Sequence, residues 1–176
     1  MARKITKVVF RRRKEHKTNY KLRIRLLQAN KPRIVIRKTN RYIIVQIVKS
    51  EEARDFTVVY TNSKELSKFG WNYGFKNLPA AYLTGFLTAQ KAIEKIKEAI
   101  IDLGLQRSTK GSRLYATIKG VIDGGLKIIC DEAMFPSEER IKGIHLKNEE
   151  IAKKMEEIKE KIIKSKIKNE NERRSN

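Results

Sequence analysis

The densest chemistry in this chain is cationic. Arg11, Arg12, Arg13 and Lys14 are followed by His16, Lys17, Tyr20, Lys21 and Arg23, and are preceded by Lys4 and Lys7. Guanidinium groups grip phosphates in a two-pronged fork and stack on unpaired bases, lysines add point charge, and Tyr20 offers a stacking face. A solvated charge run or a localisation signal would share this composition. Compensation separates the readings: residues 1 to 41 hold 16 basic residues and one acid, Glu15. Charge so dense and so unbalanced calls for a polyanion. RNA is favoured over sequence-specific DNA, because no zinc finger, basic zipper or clear helix-turn-helix pattern appears.

A second group, Arg33, Arg37, Lys38, Asn40, Arg41 and Tyr42, falls on one predicted strand and its turn. It either continues the polyanion surface or protects an edge strand with charge, and pattern does not choose between these. Catalysis finds little support. A mixed sheet suits ribonuclease H-like nucleases, but their two-metal chemistry needs a carboxylate cluster beginning on the first strand, and RIVIRKT has none. Asp102 and Asp123 read as loop or capping residues, His16 and His145 have no partner at metal-ligand spacing, and Cys130 has no histidine near it. The run Lys110-Gly111-Ser112 superficially suggests a phosphate loop, but its order is reversed and the second glycine is missing, so it reads as an exposed basic loop. No metal or cofactor is expected.

The elements that position these groups are legible from period. Residues 1 to 31 read as a basic arm with one short helix, in which Tyr20, Leu22, Ile24, Leu26 and Leu27 are interleaved with cations. After Pro32, residues 33 to 37 alternate arginine and valine against Ile34 and Ile36, the period of a strand with one basic face. Residues 42 to 48 and 56 to 60 are two further strands across short turns, giving an antiparallel meander. Trp71, Tyr73 and Phe75, flanked by glycines, are read as loop or core packing rather than as base-stacking groups.

Pro79 opens a long helix with the stripe Tyr82, Phe86, Ala89, Ile93 and Ile96. Residues 99 to 105 either extend it or form a buried fourth strand, with the β-branched pair and Gly104 favouring the strand. A second helix fits residues 112 to 123, stopped by Gly124 and Gly125, and residues 126 to 130 read as a last short strand. The fold class is therefore α/β: a mixed sheet, meander first and then α-β-α-β, covered by helices over residues 32 to 147. Residues 148 to 176 form a charged tail whose Ile151, Met155, Ile158 and Ile162 mark an amphipathic helix, with disorder expected from Asn169 onward.

The chain has 176 residues, enough for one core of ordinary size, and a net charge of +21. A membrane surface, the other common polyanion, would want a basic helix with a continuous apolar face or a long apolar run, and the arm has neither. The N-terminus lacks the apolar stretch of a secretory signal, and Cys130 is the only cysteine, so a reducing cytosol is expected.

Six segments in unbroken order carry a resemblance: RRRKEHKTNYKLRIRLL (11 to 27), KPRIVIRKTNRYIIVQIV (31 to 48), KFGW (68 to 71), LPAAYLTG (78 to 85), DLGLQRSTKGSRLYATIKGVIDGGL (102 to 126) and FPSEERIKGIH (135 to 145). Together they resemble the universal large-subunit ribosomal protein family numbered eighteen, in its archaeal branch. The resemblance implies a mixed-sheet α/β domain that binds 5S ribosomal RNA and anchors it in the central protuberance of the large subunit, in the cytoplasm. Large-subunit (23S-type) RNA and neighbouring ribosomal proteins would be the other partners. It favours the strand reading of residues 99 to 105. It carries RNA contact onto Arg11, Arg12, Arg13, Lys14, Lys17, Tyr20 and Arg23, onto Arg33, Arg37, Lys38, Asn40 and Arg41, and onto Lys110, Ser112 and Arg113. The Lys/Glu-rich tail departs from the family pattern, and a docking role for another protein is one reading of it.

Overall fold

The computed structural model describes residues 8–52, 54–146 and 149–174, with side chains in the last segment for residues 150–167. Its element order is α1 (Arg11–Lys14), α2 (Tyr20–Gln28), β1 (Arg33–Lys38), β2 (Ile43–Glu51), β3 (Arg54–Asn62), α3 (Leu78–Ala92), β4 (Ile100–Asp102), α4 (Arg113–Asp123), α5 (Glu138–Lys142) and α6 (Glu149–Arg174).

The meander forms as its period dictates. β1 pairs antiparallel with β2, from Arg33 opposite Val48 to Lys38 opposite Ile43, and Thr39 closes the turn by exchanging backbone and hydroxyl hydrogen bonds with Tyr42. β2 pairs antiparallel with β3, with a register shift between Ile47 and Val48. β4 then joins the free side of β1 in parallel, giving the order β3-β2-β1-β4. This confirms the strand reading within residues 99 to 105. β4 covers β1 only from Arg33 to Val35, so that part of the strand is internal, while Gln106 rather than a strand lies beside Ile36 and Lys38.

The last strand expected over residues 126 to 130 does not form. Only an isolated bridge joins Glu98 and Lys127, and Ile129 is exposed while Leu126 is buried. β4 spans just Ile100–Asp102, so a strand laid beside it finds few backbone partners to propagate along.

Alternation puts Ile34, Ile36, Ile43, Val45, Ile47 and Val59 on one face of the sheet, where they join residues of α3 and α4 in a single core. α3 is not the one-sided helix that its stripe predicts. Every residue in it except Gln90 and Lys91 is buried, because the helix lies beneath the sheet, α4 and α6 together. It ends at Ala92, so Ile93 caps it and Ile96 follows beyond it, still buried. Asn77 starts it by accepting the Ala80 amide at 2.9 Å, with Pro79 in the first turn.

α3 and α4 cross with their backbones nearly touching. A Cβ on Gly85 would lie 2.0 Å from the Thr117 carbonyl oxygen, and one on Gly120 would lie 2.1 Å from that of Tyr82. Glycine is required at both positions for this approach alone.

The tail helix completes the domain. Ile151, Met155, Ile158 and Ile162 pack with Leu66, Trp71, Leu83, Phe86, Leu87 and Ile141 in a second buried cluster. Lys159 lays its ammonium over the rings of Tyr82 and Phe86 at 5.6 and 5.2 Å and donates to the Tyr82 hydroxyl. Trp71 is fully buried, so the packing reading of the glycine-flanked aromatics holds, with Tyr73 meeting it edge-on at 5.3 Å. The helical backbone of α6 runs on to Arg174, past Asn169, where composition predicts loss of order. Extending a helix that packing has already nucleated costs little per residue.

Candidate nucleic-acid interface

The basic arm is held together by short-range contacts. α1 exposes Arg11, Arg12, Arg13 and Lys14, and the Arg12 guanidinium donates to the Thr18 hydroxyl at 2.8 Å. Glu15 pairs with Lys17 at 2.9 Å and with Arg11 at 3.9 Å. His16 adopts φ +51°, turning the chain back so that Asn19 caps α2 by accepting the Leu22 amide. Tyr20 opens α2 with its ring 5.2 Å from that of Phe10. Lys4 and Lys7 lie outside the described residues.

α2 rests on the other face of the sheet, away from α3. Arg12, Lys17, Leu22, Arg23 and Leu26 from the arm surround a hollow of about 160 Å³ with Arg37, Asp102 and Leu105. The second group is therefore beside the first. Within it the residues fare differently. Arg33 is 3% exposed; it donates to Asp102 at 3.0 Å, to Asp55 at 2.8 Å and to Ser50 at 3.1 Å. Its guanidinium is closed to RNA, which corrects the expectation that it lies on the contact surface. Arg37 keeps its side chain 40% exposed while donating to the Asp102 carbonyl and carboxylate at 2.8 and 3.2 Å. Lys38, Asn40 and Arg41 are exposed at the β1–β2 turn, and Tyr42 is half-buried with its ring 5.9 Å from Phe75.

The third group joins the second through a residue that sequence reasoning missed. Lys76 donates to the Asn40 carbonyl at 3.1 Å, and its own carbonyl accepts from Arg113 at 3.2 Å. Gln106 ties the other side, donating to the Ile36 carbonyl at 2.8 Å and accepting the Lys38 amide at 3.2 Å. Lys76 follows the aromatic loop and Gln106 lies within a family-like segment, but no local pattern marks either as a bridge. Ser112 precedes α4 without a side-chain capping bond, and its hydroxyl is buried with no partner. Lys110 is exposed.

Counter-charge reaches only part of this surface, where Glu15, Asp55 and Asp102 pair with Arg11, Lys17, Arg23 and Arg37. Among the described residues, Arg13, Lys14, Lys21, Arg25, Lys38, Arg41 and Lys110 take no part in the ion pairs. The acids nearest the arm are committed instead to arginines. Burial pushes the Asp55 carboxyl up, but hydrogen bonds from Ser50, Arg33 and Arg23 outweigh it and hold the group below its ordinary value. Burial and the neighbouring Asp131 push the Cys130 thiol up, which suppresses the nucleophilic thiolate. No cluster of His, Cys, Asp and Glu suited to a metal ion occurs among the described residues, and no described helix is long and apolar enough to cross a membrane.

A mixed-sheet domain that brings so many cations beside one another has the charge pattern of a polyanion binder. Comparison with known proteins narrows this class to a family. A family model described as ribosomal large subunit proteins 60S L5 and 50S L18 matches residues 4–99 and 94–131. The large ribosomal subunit protein uL18 of Korarchaeum cryptofilum is 52% identical over 152 residues, covering 86% of this chain and 77% of the relative. That of Methanoregula boonei is 47% identical over 157 residues, covering 86% of this chain and 90% of the relative. That of Caldivirga maquilingensis is 49% identical over 142 residues, covering 80% of this chain and 69% of the relative. The chain belongs to this family of large-subunit ribosomal proteins, and is an RNA-binding structural constituent of the large ribosomal subunit rather than an enzyme.

Proposed function

We propose that this protein binds 5S ribosomal RNA and anchors it in the central protuberance against the large-subunit (23S-type) RNA, beside other ribosomal proteins. The observation that carries the reading is the run of cations from α1 through the β1–β2 turn to the loop before α4, of which Arg13, Lys14, Lys21, Lys38, Arg41 and Lys110 have no acid partner among the described residues, joined side by side by Arg37, Gln106 and Lys76. Phosphates supply the missing counter-charge. The contacts assigned to RNA are Lys4, Lys7, Arg11, Arg12, Arg13, Lys14, His16, Lys17, Tyr20, Lys21 and Arg23 in the arm, Arg37, Lys38, Asn40, Arg41 and Tyr42 on the strand and turn, and Lys110 and Arg113 before α4. Arg33 and Ser112 are left out because the guanidinium of one and the hydroxyl of the other are buried. The tail helix turns its apolar stripe into the domain's own core, so its first role is to complete the fold.

A gel-shift titration of the full chain and of a chain lacking residues 1–31, against purified 5S RNA with transfer RNA as competitor, tests this. Binding that survives the competitor and collapses on deletion is the expected result. Equal binding to both RNAs would reduce the protein to a generic polycation and overturn the assignment of 5S RNA.

A further inference from the structure

α2 carries Lys21, Arg23 and Arg25 and is held by little apolar burial, its Leu26 and Leu27 being half-buried. It contains no buried residue, and Leu22 and Ile24 on it are exposed. Among the described residues, one side-chain ion pair joins it to the sheet: Arg23 donates to Asp55 at 2.9 Å. Asp55 does not end there. Its other carboxylate oxygen accepts from the buried Arg33, which donates in turn to Asp102, and Asp102 accepts from Arg37 and from the Gly104 amide. The chain Arg23–Asp55–Arg33–Asp102–Arg37 thus links the arm helix to the first strand through a guanidinium that solvent does not reach. Glycine is needed beside it, because at Gly104 the backbone is left-handed at φ +62° and a Cβ would meet the Arg37 guanidinium at 2.9 Å.

We infer that Asp55 is a positioning residue for RNA binding: an acid that, through Arg33 and Arg23, fixes α2 on the sheet so that the arm's cations and Arg37 meet the RNA backbone as one preformed surface. The inference rests on the RNA-binding reading above. Its physical basis is preorganisation. A helix of nine residues with little burial is marginal alone, and binding through a partly populated arrangement weakens affinity by the populated fraction. The geometry makes Asp55 the control point. It is 32% exposed at the surface end of the network, whereas Arg33 and Asp102 are 3% and 10% exposed, so Asp55 can be altered without leaving a fully buried charge alone.

The test turns on the sign of a charge effect. Asp55→Asn removes a negative charge from a protein that binds a polyanion, so electrostatics alone would tighten binding. If Asp55 positions the arm, binding to 5S RNA weakens instead, about tenfold if the docked arrangement falls to about a tenth of the population. Amide hydrogen exchange in the free full-length protein speeds up across residues 20–28 while that of α3 stays slow, and Asp55→Glu restores both readouts. Tighter or unchanged RNA binding in Asp55→Asn overturns the inference, as does unchanged exchange in α2. Should Asp55→Asn lose protection throughout the molecule, Arg23→Gln, which leaves the pairs of Arg33 intact, decides: α2 exchange must rise with it, and unchanged exchange overturns the inference. If the parent protein does not prefer 5S RNA to transfer RNA, the RNA reading fails by itself, and the exchange measurements still decide whether Asp55 tethers α2.

Discussion

Arg33 and Arg37 share one face of β1, yet one is a buried counter-ion and the other a half-exposed cation at the rim of the interface. The difference is the position of two acids, Asp55 and Asp102, delivered by other strands. Arg33→Met would leave Asp102 without one of its arginines in a site only 10% exposed, and should destabilise the protein by about 3 kcal/mol in urea unfolding. Arg41→Gln, at the exposed turn, should move stability by less than about 0.5 kcal/mol but lower the salt slope of RNA binding by about 1. Asp55 also sets an acid limit. Its folded carboxyl lies below the ordinary value of 3.8, so its contribution is fully present above that pH and is lost as pH falls below it through the lowered value. Unfolding measured at about pH 5 and about pH 3 should show this loss in the parent protein and a smaller one in Asp55→Asn.

At the level of elements, two helix contacts carry most of the architecture. Because the α3–α4 crossing has no room for a methyl group at Gly85 or Gly120, Gly85→Ala should destabilise the domain by roughly 2 kcal/mol or more, despite alanine's better helix propensity. Thermal unfolding checks it, and an unchanged midpoint would mean that the helices are further apart. α6 is the second contact. Ile158→Ala, at a fully buried position against Trp71 and Leu83, should cost about 2–5 kcal/mol, a value out of keeping with a tail that only touches solvent. The helical period of Ile151, Met155, Ile158 and Ile162 announces an apolar stripe, but period cannot say whether that stripe meets a foreign partner or the same chain.

Over the whole molecule, the net charge of +21 and its concentration in the first quarter of the chain make a polyanion partner a requirement of composition. RNA affinity should fall with salt by roughly 0.7 to 0.9 decades per decade for each phosphate neutralised. What the sequence by itself determined was local and periodic: the antiparallel meander, the caps and stripes of the helices, the family-like segments and the unbalanced arm. Each follows from residues within a few positions of one another, where side-chain alternation and backbone preference act directly. The tertiary structure alone decided the rest. It placed the start of β1 inside the sheet, buried Arg33 between acids distant in sequence, shortened the last strand to a bridge, folded the tail helix into the core, and used Lys76 and Gln106 to join separate basic segments into one surface. In every one of these the deciding interaction spans residues far apart along the chain, and the identity of the partner is set by packing rather than by pattern.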